Sequence, residues 1–112
     1  MKIAIPTTDG KLNAHFGHCQ CFTFLTVDTA SQHIGPAETK TPPPHEPGLF
    51  PAWLKEEGVD LVIAGSMGQR AQSLFEKEGI ALVIGAPNDT PEHIAAQYLA
   101  GSLSTGANTC DH

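Results

Sequence analysis

From residue 59 onward the chain repeats one pattern twice, a short, largely apolar run followed by a segment with apolar residues at helical spacing. The first run, 59–64, reads Val-Asp-Leu-Val-Ile-Ala, and Met67, Ala71, Leu74 and Phe75 then mark one helical face that stops at Gly79. The second run, 80–84, precedes a helix with Thr90 at its cap, Pro91 in its first position, Ile94, Tyr98 and Leu99 on its apolar side, and Gly101 at its end. Runs this short that are apolar at successive positions read as strands buried on both faces. Strands separated by a helix pair in parallel, because the crossover returns the chain to the same sheet edge. This half is therefore read as βαβα.

The first half is read as a strand at 2–5 closed by Pro6, turn chemistry at Thr7-Thr8-Asp9-Gly10, and a loop through Phe16-Gly17. A strand follows at 21–27, with Phe22, Phe24 and Thr26 on one face and Cys21, Thr23, Leu25 and Val27 on the other. Both faces are partly apolar, so both should be covered. Asp28-Thr29-Ala30-Ser31 turns into a weaker strand over 32–38. Prolines 42, 43, 44 and 47 break regular structure, and Leu49, Phe50, Trp53 and Leu54 predict a helix with Pro51 in its first turn and Gly58 as its stop. The expected architecture is one mixed sheet of about five strands between helix layers, a single α/β domain over 1–101 with a tail, 102–112, that is poor in apolar residues.

The net charge of −6 and the lack of a Lys/Arg stripe argue against nucleic-acid binding. No apolar run has the roughly 18 residues of a membrane span, and the start lacks the apolar core of a signal peptide. A cytoplasmic protein is expected. In a reducing compartment three cysteines read as thiols or metal ligands rather than as a disulfide framework.

The candidate ligands concentrate in loops and the tail. His15-Phe16-Gly17-His18-Cys19 gathers two imidazoles and a thiol around a glycine, with Cys21 two residues on. These are the donors that zinc, copper and iron–sulfur species take. His45 lies in the proline-rich loop, and Cys110 and His112 end an otherwise polar tail. The same residues also fit a plainer reading, with His15 bonding the loop backbone, His18 solvated, and Cys110 a chance cysteine. Gly65-Ser66-Met67-Gly68 follows a parallel strand and opens a helix, so its N–H groups and Arg70 would suit an anion; equally, the glycines would serve only a tight turn. His33 and His93 are expected on the surface. None of Ser31, Ser66, Ser73, Ser102 and Ser104 lies in a nucleophile elbow, and no carboxylate pair stands out. The chain is read as a binding protein and not as an enzyme.

Met1-Lys2-Ile3-Ala4-Ile5-Pro6, Asp9-Gly10, His15-Phe16-Gly17-His18, Phe22 and Val27 resemble the dinitrogenase iron–molybdenum cofactor biosynthesis and binding family. So do residues 59–68, Leu74-Phe75 and Gly79-Ile80. The resemblance spans about 1–101; its specific parts are the His-Phe-Gly motif and the Gly-x-Met-Gly turn. It implies a ribonuclease H-like three-layer α/β/α fold without nuclease activity. Members include nitrogenase cofactor carriers and the molybdenum–copper-cluster orange protein of sulfate reducers. Only His15, Phe16 and Gly17 carry over as the signature loop; His18, Cys19, His45, Cys110 and His112 are added from ligand chemistry. The expected cargo is an iron–sulfur, iron–molybdenum or molybdenum–copper sulfide cluster; the alternatives are a lone zinc or copper ion, or a regulatory domain binding a small anion at Gly65–Gly68. A cluster-assembling or cluster-accepting protein is the expected partner, and a monomer or weak homodimer the expected state.

Overall fold

The computed structural model describes residues 1–12, 21–41 and 49–103. Within them the elements are β1 (Lys2–Thr8), β2 (Lys11–Leu12), β3 (Cys21–Asp28), β4 (His33–Lys40), α1 (Leu49–Glu56), β5 (Leu61–Ala64), α2 (Gln69–Lys77), β6 (Ala81–Ile84) and α3 (Pro91–Ala100). The sheet runs β4-β3-β1-β5-β6, with β2 paired to β1. β1 is antiparallel to β3 and parallel to β5, and β5 is parallel to β6, so the sheet is mixed. The α/β class and the βαβα second half stand as expected.

Alternation along the central strands divides the apolar residues between two cores. Ile3, Ile5, Leu25, Val27, Leu61 and Ile63 pack with Ile94 and Ala95 of α3. Ala4, Phe22, Phe24, Val62 and Ala64 pack with Phe50 and Leu54 of α1 and Phe75 of α2. Each strand thus buries both faces, which is why its sequence is apolar at successive positions. β3 has the predicted two-sided burial, although Thr26 is exposed. α3 begins and ends as expected: Thr90 Oγ1 accepts the His93 N–H, Pro91 follows the cap, and Gly101 closes the helix in the left-handed conformation (φ 73°). No helix among the described residues is long and apolar enough to cross a membrane.

Three local expectations are corrected. β1 does not stop at Pro6 but continues to Thr8, with Pro6 opposite Phe22 of β3. The lost N–H is tolerated for a definite reason. Lys2 uses both its N–H and its carbonyl toward Asp60, on the β5 side. By the period of two, Pro6 also faces that side, two residues beyond the last β1–β5 rung at Ala4↔Val62. The second correction is β2. Asp9 (φ 54°) and Gly10 (φ 80°) form a tight reversal, the geometry that Asp-Gly favours in a two-residue hairpin. It returns Lys11 and Leu12 to pair with Thr8 and Thr7, where only a loop was expected. Third, Met67 precedes α2 rather than lying on it, and its side chain is buried in the core shared by α1 and α2.

The reversal yields a direct prediction. A Cβ at Gly10 would meet nothing within 4 Å, so only its positive φ resists substitution. Gly10→Ala is expected to cost about 1–2 kcal/mol, the ordinary penalty for an L-residue in this region, read as a lowered denaturation midpoint.

Candidate functional site

β1 and β5 are adjacent and parallel, yet their connections leave in opposite directions. The chain after β1 goes by way of β2 to β3, on one side; the chain after β5 goes through α2 to β6, on the other. In open α/β sheets this divergence at the carboxyl ends of neighbouring strands is where ligands collect. Here the two strands pair only at Ile3↔Leu61 and Ala4↔Val62 and then part.

Both attachments of residues 13–20 lie at this point. Leu12, just before the segment, pairs with Thr7, and Cys21, just after it, pairs with the same Thr7 from the opposite side of β1. The two ends therefore flank one strand and stand about 10 Å apart, twice the ordinary strand spacing. The base is buried and hydrogen-bonded. Thr7 is buried, its hydroxyl donates to the Ile5 carbonyl at 2.8 Å, and the buried Thr23 hydroxyl lies 2.8 Å away from it. Cys21 is a free, half-buried thiol whose Sγ points to the Thr7 carbonyl at 3.9 Å.

The loop after β6 completes the support. The Leu12 N–H donates to the Asp89 carbonyl at 2.9 Å, and the Asn88 side-chain amide donates to the Leu12 carbonyl. The Leu12 side chain is buried in the α3-side core beside Ala86. Asp89 is itself held. The Thr90 N–H keeps its carboxyl below the usual aspartate range, and contacts with His93 and the charge of Lys11 act the same way. The carboxylate is accordingly ionised at neutral pH, and its hold on the start of α3 is lost only as pH falls below the ordinary aspartate range.

The turn after β5 stands at the same sheet edge. Gly65 and Gly68 are half-buried, whereas the Ser66 and Met67 side chains are buried. Gly68 caps α2 in an extended conformation without a side-chain hydrogen bond to the helix. Arg70 is exposed in the first turn of that helix. This turn therefore presents main chain and one guanidinium, with the Met67 carbonyl already taken by the Gln72 amide.

His15, Phe16, Gly17, His18, Cys19, His45, Cys110 and His112 lie outside the described residues, as do the tail positions from 104. Among the described residues, no group of three or more His, Cys, Asp or Glu side chains converges as a metal would require. His33 and His93 are exposed, as expected. Asn88 and Asp89 were not singled out as supports for the loop start. Their bonds to Leu12 cross at least 76 positions and end on its main-chain N–H and carbonyl, a contact that leaves no residue pattern.

Comparison with known proteins agrees along the whole described chain. The family model described as dinitrogenase iron-molybdenum cofactor matches residues 1–101. An uncharacterized protein of Methanocaldococcus jannaschii is 31% identical over 108 residues, covering 92% of this chain and 89% of its own. The crystal structure of the protein PH0822 superposes with a TM-score of 0.84 at 25% identity, over 95% of this chain and 96% of the other. The apo form of the orange protein from Desulfovibrio gigas gives a TM-score of 0.71 at 22% identity, over 96% and 93% of the two chains, and so shares the fold.

Proposed function

The chain belongs to the dinitrogenase iron-molybdenum cofactor family, and from that premise we propose that it is a binding protein for an anionic metal–sulfide cluster. The cluster is cargo, of iron–sulfur, iron–molybdenum or molybdenum–copper type, passed between an assembling and an accepting protein. The observation that carries this reading is the double attachment of residues 13–20 to Thr7 where β1 and β5 part. Leu12 and Cys21, the described residues on either side of His15-Phe16-Gly17-His18-Cys19, both lie at the edge where α/β sheets bind ligands, which supports that segment as the binding loop.

In this reading His15, His18 and Cys19 supply nitrogen and sulfur donors. Gly65, Ser66, Met67, Gly68 and Arg70 form the neighbouring wall, where main chain and the Arg70 charge favour an anion. His45, Cys110 and His112 complete the set. Residues 1–101 act as the binding unit and 102–112 as an added tail, on a ribonuclease H-like α/β/α framework. The protein works in the cytoplasm as a monomer or weak homodimer and catalyses no reaction of its own. The donor chemistry fits such cargo, since thiolate and imidazole both ligate iron, copper and molybdenum sulfides.

The test is anaerobic reconstitution of the full chain with ferrous iron, sulfide and molybdate, followed by metal and sulfide analysis. Retention of metal with stoichiometric sulfide after desalting is the expected result. Zinc or copper bound one per chain, with no sulfide, would replace the cluster by a lone metal ion. Binding of inorganic phosphate that weakens in Arg70→Ala, with no metal retained, would move the function to the turn after β5.

A further inference from the structure

β2 is only two residues long, too short to hold a direction by its pairing with β1 alone. Its outer side is nevertheless bonded. The Asp89 carbonyl accepts the Leu12 N–H, and the Asn88 amide donates to the Leu12 carbonyl. These are the donor and acceptor that a further strand would have offered to Leu12. One comes from main chain and the other from a side chain, so a single substitution can remove half of the bracket. Asn88 itself is exposed, and no core packing explains it. Asp89 on its far side is fixed by the Thr90 N–H and by His93 on α3.

We propose that Asn88 is a positioning residue for the cargo loop: it sets the direction in which the chain leaves Leu12 toward His15 and does not touch the cluster. The proposal rests on the cluster-binding reading above. The opposite end, at Cys21, is set by the β1–β3 ladder, whose eight-residue strand needs no such help. Control of the loop is therefore asymmetric. The start depends on a side chain from the loop after β6, and the end on main-chain pairing. The loop after β6 thereby belongs to the binding machinery without lending a ligand.

The test compares the full-length parent with Asn88→Ala and Asn88→Asp. Asp keeps the shape of Asn but has no hydrogen to donate to Leu12. Each protein is reconstituted with ferrous iron, sulfide and molybdate and then challenged with an iron chelator, and the release rate is followed by absorbance. Hydrogen exchange at the Leu12 amide and the thermal midpoint are measured alongside. Val59→Ala, a core truncation preceding β5 at the opposite end of the sheet, serves as the control for general destabilisation. Both Asn88 variants are expected to load, to exchange faster at Leu12, and to release about threefold to tenfold faster than the parent. Val59→Ala should release at the parent rate. Release from both Asn88 variants at the parent rate overturns the proposal, as does equal acceleration in Val59→Ala. If the parent itself retains no iron and sulfide, it is the cluster-binding reading that has failed.

Discussion

A chain carrying His15→Ala and His18→Ala should leave anaerobic reconstitution with no more iron and sulfide than a protein-free blank, while the parent retains both. Loss of a partner that only orients a ligand costs metal sites roughly 10- to 100-fold in affinity. Two missing primary donors in one short segment should exceed that. The fold should be unaffected, because the supports of 13–20 are independent of its histidines: Thr7 pairs with both ends, and Asn88 and Asp89 bracket Leu12. An unchanged thermal midpoint would place the defect in the site. Full cluster retention by the double variant would show that the loop does not hold the cargo, and attention would pass to Gly65, Gly68 and Arg70.

The largest expected effect on stability is that of Phe22→Ala. Phe22 is fully buried one residue into β3, and it meets Phe50 and Trp53 of α1 edge-on, each with ring centroids 5.6 Å away. With Phe24, which also packs on Trp53, it anchors α1 on the sheet. Truncating a buried Phe to Ala costs about 3–5 kcal/mol, from lost transfer energy and the cavity left behind. A domain of this size has roughly 5–15 kcal/mol in total, so urea denaturation should show a midpoint reduced by about a fifth or more. The Trp53 fluorescence should shift to the red, because one of its two aromatic neighbours is gone. A change below about 1 kcal/mol would mean that α1 repacks without strain.

What was legible in the sequence follows from periodicity and punctuation. The run ending at Ala64 is a strand buried on both faces, as read, whereas the run ending at Ile84 is an edge strand that is only half-buried, with Ala81 exposed; the division of Phe22 and Phe24 from Leu25 and Val27 onto opposite cores was visible from alternation alone. Thr90, Pro91 and Gly101 marked α3 to the residue. Two elements escaped because their cause is tertiary. Pro6 looked like a strand end, but a proline is tolerated wherever the neighbouring strand has departed, and that departure is not written locally. β2 has one apolar side chain, Leu12, too few to show a period. Met67 fell at helical spacing with Ala71 and Leu74, yet it packs from the turn before the helix. For the site, the Gly65 turn could be anticipated at the carboxyl end of β5, because it follows a parallel strand and opens a helix. The Asn88 bracket could not, since its acceptor is a carbonyl that any residue at position 12 would carry.

Pro6 also matters on the way to the folded state. With an ordinary residue there, β1 and β5 could go on pairing past Ala4↔Val62, and Pro6 would stand opposite Ala64 in the same register. That longer ladder would be a low-lying competitor, reached early because both strands are apolar and central, and it would exclude β2 from its place beside Thr7 and Thr8. Without a hydrogen on its nitrogen, Pro6 denies this competitor one of its bonds. The folding landscape is thus tilted toward the hairpin at Asp9-Gly10 before any ligand is present, and the parting of β1 and β5 is encoded as a rung that cannot form.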